Sequence, residues 1–98
     1  MGVIKRIDLN SIEEILKKII GASSELKLLQ DEMEDVFSHL SENEKLFSNG
    51  KISKDVYNEN KARLKNEANE LKKKLKEKIA EAIKILENGR KIIEANRI

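Results

Sequence analysis

Apolar residues recur in unbroken heptads through the first half of this chain, and this repeat limits the fold more than any other feature. Ten of the eleven a and d positions are apolar and the phase never slips, which is typical of a coiled-coil seam. The a positions are Ile12, Ile19, Leu26, Met33, Leu40 and Phe47, and the d positions are Ile15, Ala22, Leu29, Val36 and Asn43. The chain has no proline, so the repeat predicts one helix of about 37 residues, roughly 55 Å long.

The predicted first helix has a clear start signal and one weak point. Asn10 and Ser11 are good N-cap residues, and Ser11 with Glu14 forms a capping box. Gly21 disfavours helix by about 1 kcal/mol relative to alanine. It lies away from the seam, and the heptad phase is the same on both sides, so we expect the helix to continue through it.

A tight turn is predicted between residues 49 and 52. Asn49 and Gly50 form a helix C-terminus signal, with Gly50 suited to a left-handed conformation. Ser53 is the expected N-cap of a second helix, and Ile52 and Tyr57 have the spacing of a hydrophobic staple. Such a short connection predicts that the two helices are antiparallel neighbours.

The second helix carries an amphipathic stripe whose steps average close to 3.6 residues. Two successive four-residue steps around Leu75 predict a local stutter, and Gly89 is a second weak point. The stripe consists of Tyr57, Leu64, Ala68, Leu71, Leu75, Ile79, Ala82, Leu86, Gly89 and Ile93. We expect a single domain over 1–98, with an N-terminal arm (1–10), helix 1 (11–48), the turn (49–52) and helix 2 (53–97).

The predicted fold is all-α, an antiparallel coiled-coil hairpin that dimerises into a four-helix bundle. Folding about the turn brings residue i near residue 101 − i, which sets the acidic stretch 25–35 against the lysine-rich stretch 66–76. Residues 1–50 carry 6 basic and 10 acidic groups (net −4), and residues 51–98 carry 14 and 8 (net +6). A hairpin of 98 residues with three aromatic side chains buries only a thin core, which favours association.

Nothing in the sequence predicts catalysis or a cofactor. There is no cysteine, and the one histidine, His39, has no second histidine or cysteine with which to share a metal. The Glu-x-x-His motif of di-metal bundles is absent, and the carboxylates fall on expected solvent faces. No run of about 18 apolar residues occurs, so we expect a cytosolic protein, with peripheral membrane attachment left open.

A lysine-rich segment is the candidate polyanion face. It consists of Lys72, Lys73, Lys74, Lys76 and Lys78. Clustered lysines bind phosphate backbones, but single-strand recognition also uses aromatic stacking, and no aromatic residue lies nearby. Glutamates interleave with these lysines at pairing distances, so a solvated, internally paired helix face is the favoured interpretation.

Surplus apolar residues at the end of the hairpin remote from the turn form the candidate partner interface. They are Leu16, Ile20, Ile83, Ile85 and Ile92, which fall outside the predicted seam. A single seam cannot bury them all, and such a surplus marks an interaction surface. The alternative is a wider local core that is closed by the N-terminal arm.

The segment from Leu46 to Tyr57 resembles the helical-hairpin turn in the steadiness region of the ESCRT-I tumour-susceptibility-gene core subunit. In that family, too, a helix ends at glycine, an isoleucine follows two residues later, and an aspartate, an apolar residue and an aromatic open the return helix. Here these are Gly50, Ile52, Asp55, Val56 and Tyr57. The likeness covers about 20 residues, and the family's later aromatic is missing, with Asn69 and Glu70 in its place.

The resemblance implies a scaffold subunit that acts in membrane remodelling or cell division by helix packing. The bias towards lysine, glutamate and isoleucine is also typical of archaeal or thermophilic proteins. The sequence itself predicts a non-enzymatic interaction protein, a homo-oligomer or a subunit of a larger helical complex. The alternative is a basic coiled coil that binds anionic membrane or nucleic acid through the candidate polyanion face.

Overall fold

Two long helices make up the structure, a computed structural model that describes residues 9–95. Helix α1 spans Leu9–Ser48 (40 residues) and helix α2 spans Lys54–Ala95 (42 residues). The all-α hairpin predicted from the heptads is confirmed. Gly21 and Gly89 both lie inside continuous helices, also as predicted. The predicted N-cap was wrong, because α1 already includes Asn10 and Ser11. The arm prediction for residues 1–8 lies outside the described residues.

The turn is closed by a Schellman motif. The amide of Lys51 donates to the carbonyl of Leu46 at 2.8 Å, and the amide of Gly50 donates to the carbonyl of Phe47 at 3.0 Å. Gly50 has a φ of +70°, the left-handed conformation that glycine adopts without a Cβ clash. The predicted left-handed conformation of Gly50 is therefore confirmed. Carbonyls in the last turn of α1 accept their hydrogen bonds from amides of the turn itself.

Ser53 starts α2 as its N-cap. Its hydroxyl accepts a hydrogen bond from the Val56 amide at 3.2 Å, and its carbonyl accepts the first helical bond, from Tyr57, at 2.9 Å. The Tyr57 ring then stacks on Phe47 with 4.4 Å between centroids and 17° between planes. The phenol donates to Glu44 at 2.5 Å, so the first turn of α2 is held to the last turns of α1.

The contacts divide the chain into two compact units. The turn unit comprises residues 27–76, and α1 and α2 pack on each other within it along a continuous seam. Leu29, Val36, Leu64 and Leu71 are buried there, and Met33, Leu40, Ala68 and Leu75 pack around them. The d positions Leu29 and Val36 are thus at the centre of the core, as the heptads predicted.

Asn43 is the one buried polar side chain among residues 9–95. Its amide nitrogen donates to the Tyr57 carbonyl at 3.1 Å, and its amide oxygen accepts from Asn60 at 3.0 Å. A polar residue at a seam position must find such partners, and this requirement selects one register over the others.

The described part of the terminal unit comprises residues 9–26 and 77–95. Its α1 side follows the predicted heptads, since every a and d position there is half-buried. Gly89 is buried, and a Cβ at that position would lie 3.2 Å from the Cγ2 atom of Ile15. Glycine therefore allows the two helices to approach closely at this level.

Within the terminal unit, the predicted stripe of α2 was correct at Ala82 and Gly89 and wrong at its other three positions. The half-buried or buried positions are Lys78, Ala82, Ile85, Gly89 and Ile92, which continue a strict heptad from Leu75 without a stutter. Ile79, Leu86 and Ile93 each lie one residue further along and are 47%, 56% and 59% exposed. The difference arises because the seam accepts a lysine, whose aliphatic stem packs in the seam while its ammonium group reaches carboxylates.

Lys78 forms two ion pairs at this seam position. Its ammonium nitrogen lies 2.8 Å from Glu25 on α1 and 3.2 Å from Glu81 on α2. The hydrogen bond to Glu25, followed by that to Glu81, raises the pKa of Lys78 above the ordinary 10.5. Two contacts define the register of the terminal unit, that of Glu25 with Lys78 and that of Ile15 with Gly89. Residues of α1 and α2 at the same level therefore have numbers that add up to 103 or 104.

Candidate interaction surface

In the described part of the terminal unit, seven large aliphatic side chains are 47–77% exposed, and they occupy equivalent heptad positions on the two helices. On each helix they fall at e, beside the seam, or at b, the next position round the helix. The e residues are Leu9, Leu16, Ile79, Leu86 and Ile93, and the b residues are Ile20 and Ile83. In an antiparallel pair the e positions of both helices lie on the same side, so these residues share one surface, here called the e/b face.

Two grooves between the helices confirm that the e positions lie on one side. The larger groove, about 560 Å³, is lined by Leu16 of α1 and by Leu86 and Ile93 of α2, above a floor that includes Ile15 and Gly89. The smaller groove, about 200 Å³, adjoins it. Ile19 and Leu86 line both grooves, so the two grooves are continuous along the e/b face and are flanked by protruding aliphatic side chains.

The opposite side of the terminal unit is polar. Five of its six described g positions are polar, namely Ser11, Lys18, Glu25, Glu81 and Asn88, and the sixth is Ala95. The ion pair between Glu25 and Lys78 spans this side. Among residues 9–26 and 77–95, the exposed large aliphatic side chains are therefore confined to one side.

The rim of the e/b face carries charges of both signs. Glu13 lies 3.5 Å from Lys17 on α1, and Arg90 lies 3.9 Å from Glu94 on α2. All four side chains are more than half exposed. Exposed pairs of this kind contribute about 0–1 kcal/mol, so their partners are easily exchanged.

The structure separates the five residues of the candidate partner interface into two groups. Leu16, Ile20 and Ile83 are 52%, 65% and 51% exposed on the e/b face. Ile85 and Ile92 are half-buried in the seam, so their predicted position outside it was wrong. The sequence interpretation missed Ile79, Leu86 and Ile93. The signal that could have identified them is the heptad phase that runs from Leu71 through Leu75, Ala82 and Gly89.

The lysines of the candidate polyanion face are spread around α2 instead of sharing one side. In the turn unit Lys72, Lys73, Lys74 and Lys76 occupy positions e, f, g and b, and all are exposed. Lys74 lines a groove with four carboxylates. In the terminal unit Lys78 is half-buried and paired.

His39 lines the same groove as Lys74, and the acidic residues there are Glu32, Asp35, Glu67 and Glu70. Among residues 9–95, no group of three or more histidine, cysteine, aspartate or glutamate side chains could hold a metal ion. Within the same residues, neither helix has an apolar stretch long enough to cross a membrane.

Comparison with known protein families, with curated proteins and with solved structures found no match for this chain. The function is therefore inferred from the geometry of the hairpin itself.

Proposed function

We propose that this protein is a non-enzymatic assembly module, a helical hairpin that binds another protein through the e/b face. The single observation that supports this proposal is the one-sided exposure of seven large aliphatic side chains over continuous grooves. Exposed apolar surface that is contiguous and rimmed by polar residues is a feature of protein interfaces.

The heptad pattern indicates a helical partner. Helices of bundles are apolar at a, d and one flanking position, whereas a two-stranded coiled coil needs only a and d. Both helices of the terminal unit have the bundle pattern, with apolar residues at a flanking position as well as in the seam. In the turn unit only Phe37 is apolar among the helical e positions, which is closer to the coiled-coil pattern; these positions are Gln30, Phe37, Glu44, Asn58, Lys65 and Lys72.

A protein partner has more support than a membrane or a polyanion. Interfacial helices place surplus lysine or arginine beside their apolar face, often with aromatic anchors. Here the rim pairs Glu13 with Lys17 and Arg90 with Glu94, and the e/b face has no aromatic residue. The polyanion alternative is weakened by the spread of its lysines around α2 and by the carboxylates beside Lys74.

The resemblance to the ESCRT-I hairpin extends this proposal to scaffolds of membrane remodelling or cell division, but the assembly proposal does not depend on it. The residues that carry the likeness have their own roles in the turn. Gly50 adopts the left-handed conformation, Val56 donates to the cap and Tyr57 stacks on Phe47.

Photo-cross-linking in the source cells tests the proposal. A photo-reactive amino acid replaces Leu86 on the e/b face or, in the control, Lys84, an exposed residue two positions away on the polar side. We expect protein adducts from position 86 and few from position 84. Equal labelling at the two positions, or adducts with lipid or nucleic acid instead of protein, would contradict the proposal.

A further inference from the structure

We propose that the e/b face binds a second copy of this chain, so that the terminal units of two hairpins form a four-helix bundle. This inference rests on the proposed function and adds the identity and orientation of the partner. In the bundle, a two-fold axis runs parallel to the helices, and α1 of each copy packs antiparallel to α2 of the other through e and b residues.

The register of the hairpin determines which residues would meet. Rotation about an axis parallel to the helices keeps every residue at its own height. A residue of α1 therefore faces the residue of the other copy's α2 that lies level with it, where the two numbers add up to about 103. The e and b residues of α1 in one copy then contact the e and b residues of α2 in the other copy. These contacts form an intermolecular seam with the same register as the seam inside each hairpin.

The successive layers of this second seam are complementary. Four of the five layers contain an aliphatic side chain, and the other is a charge pair of opposite sign. From one end, the layers are Leu9 with Ile93, Glu13 with Arg90, Leu16 with Leu86, Ile20 with Ile83, and Ser23 with Ile79. By symmetry each layer occurs twice.

The charged layer distinguishes this arrangement from the other two-fold packing. If the axis instead ran perpendicular to the helices, α1 would lie on α1 and α2 on α2, so that Glu13 and Arg90 could not meet. In the parallel-axis bundle, Glu13 faces Arg90, and Lys17 faces Glu87 one turn along. Both pairs have opposite signs, and the intrahelical pairs of Glu13 and Arg90 are exposed and readily exchanged.

The size of the face suits a dimer of ordinary affinity. Residues 9–26 span about 27 Å, and two helices side by side are about 20–24 Å wide. A flat rectangle of these dimensions covers roughly 600 Å², and its corrugation brings the accessible area towards the roughly 800 Å² per partner of specific complexes. The face also offers both ridges, at Leu16 and Leu86, and hollows beside Ala22, Ala82 and Gly89, as an isologous contact requires.

A charge-exchange experiment on the 98-residue chain tests the proposal. The variants are Glu13→Arg and Arg90→Glu, with Glu14→Arg and Lys91→Glu as controls that make the same charge changes one residue away, on the polar side. Sedimentation equilibrium gives the dissociation constant, and circular dichroism checks helicity. We expect the wild type to reach twice the 11.3 kDa chain mass as its concentration rises.

Each face variant should raise the dissociation constant at least tenfold, because each places two like-charge layers in its own homodimer. An equimolar mixture of the two should recover a dimer, since both layers then carry opposite charges again. The controls should leave the constant unchanged. If either face variant loses helicity, Lys17→Glu with Glu87→Lys repeats the test at the adjacent turn.

A wild type that stays monomeric, or a mixture that associates no better than the separate variants, would overturn the proposal. These outcomes are separable from failure of the proposed function. Cross-links from position 86 to a different protein would retain the assembly module and reject the second copy, whereas the absence of protein cross-links would reject both.

Discussion

Val36 provides a sensitive test of the core because the sign of an introduced charge should decide its effect. The side chain is 5% exposed, at a d position of the turn unit. It lines a groove with Glu32, Asp35, Glu67 and Glu70. We therefore expect Val36→Asp to be much more destabilising than Val36→Lys.

The expected magnitudes follow from burial. Val36→Asp loses about 1.5–3 kcal/mol of apolar burial and adds at least about 2 kcal/mol for a carboxylate desolvated among other carboxylates, which makes at least about 3.5–5 kcal/mol in all. A lysine can keep its stem in the seam and extend its ammonium group to the carboxylates, as Lys78 does in the terminal unit. Its cost should be about 1–2 kcal/mol, and the neighbouring control Phe37→Asp, 57% exposed, should cost less than about 1 kcal/mol.

Thermal unfolding followed by circular dichroism at one protein concentration measures these differences. For a domain of this size, 1 kcal/mol shifts Tm by about 4–8 °C, so the two Val36 variants should differ by at least about 6 °C. Equal Tm values for Val36→Asp and Val36→Lys would refute the electrostatic reasoning. A larger loss in Phe37→Asp than in Val36→Asp would refute the heptad register.

Three further predictions concern the backbone, the cap and pH. Gly21→Ala should stabilise the chain by about 1 kcal/mol, because nothing lies within 4 Å of the added Cβ. Gly50→Ala should destabilise it by about 1 kcal/mol, because alanine is strained at a φ of +70°. Urea unfolding measures the sign of both changes. Ser53→Ala should cost about 1 kcal/mol by removing the hydroxyl that accepts from the Val56 amide, and equal midpoints in urea would contradict it. The raised pKa of Lys78 means that its stabilising contribution is full below pH 10.5 and disappears as pH rises through the folded-state pKa. The Tm difference between wild type and Lys78→Met should therefore shrink above that pH, and a constant difference would count against the ion pairs.

The sequence predicts α1 and the turn well because their signals are local. The heptads from Ile12 to Asn43 need no tertiary information, and the chemistry of Gly50 and Ser53 acts within a few residues. The phase of α2 was misread because apolar identity favoured Ile79 over Lys78. The seven-residue spacing of Leu75, Ala82 and Gly89 favours Lys78, but the reason that a lysine is tolerated in the seam is its contact with Glu25 on the other helix, which is a tertiary fact.

The same error explains why the candidate interface was only partly identified. Once Ile79 was placed in the stripe, Leu86 and Ile93 followed it, and the true seam residues Ile85 and Ile92 became a surplus. The conclusion that this region has more aliphatic surface than one seam can bury did not depend on the phase. The heptad phase of α2 does determine on which side of the hairpin the excess aliphatic surface lies.

Asn43 and Asn60 are separated by only 17 residues along the chain, whereas Ile15 and Gly89 are separated by 74. The entropic cost of loop closure rises with the separation along the chain. The contact between Asn43 and Asn60 can therefore form early in folding, before the long-range contacts. A mispaired hairpin would leave Asn43 facing aliphatic side chains, and the unpaired amide would destabilise that pairing. We therefore expect the buried amide to disfavour register errors at an early stage of folding, while they still involve only a few turns of helix.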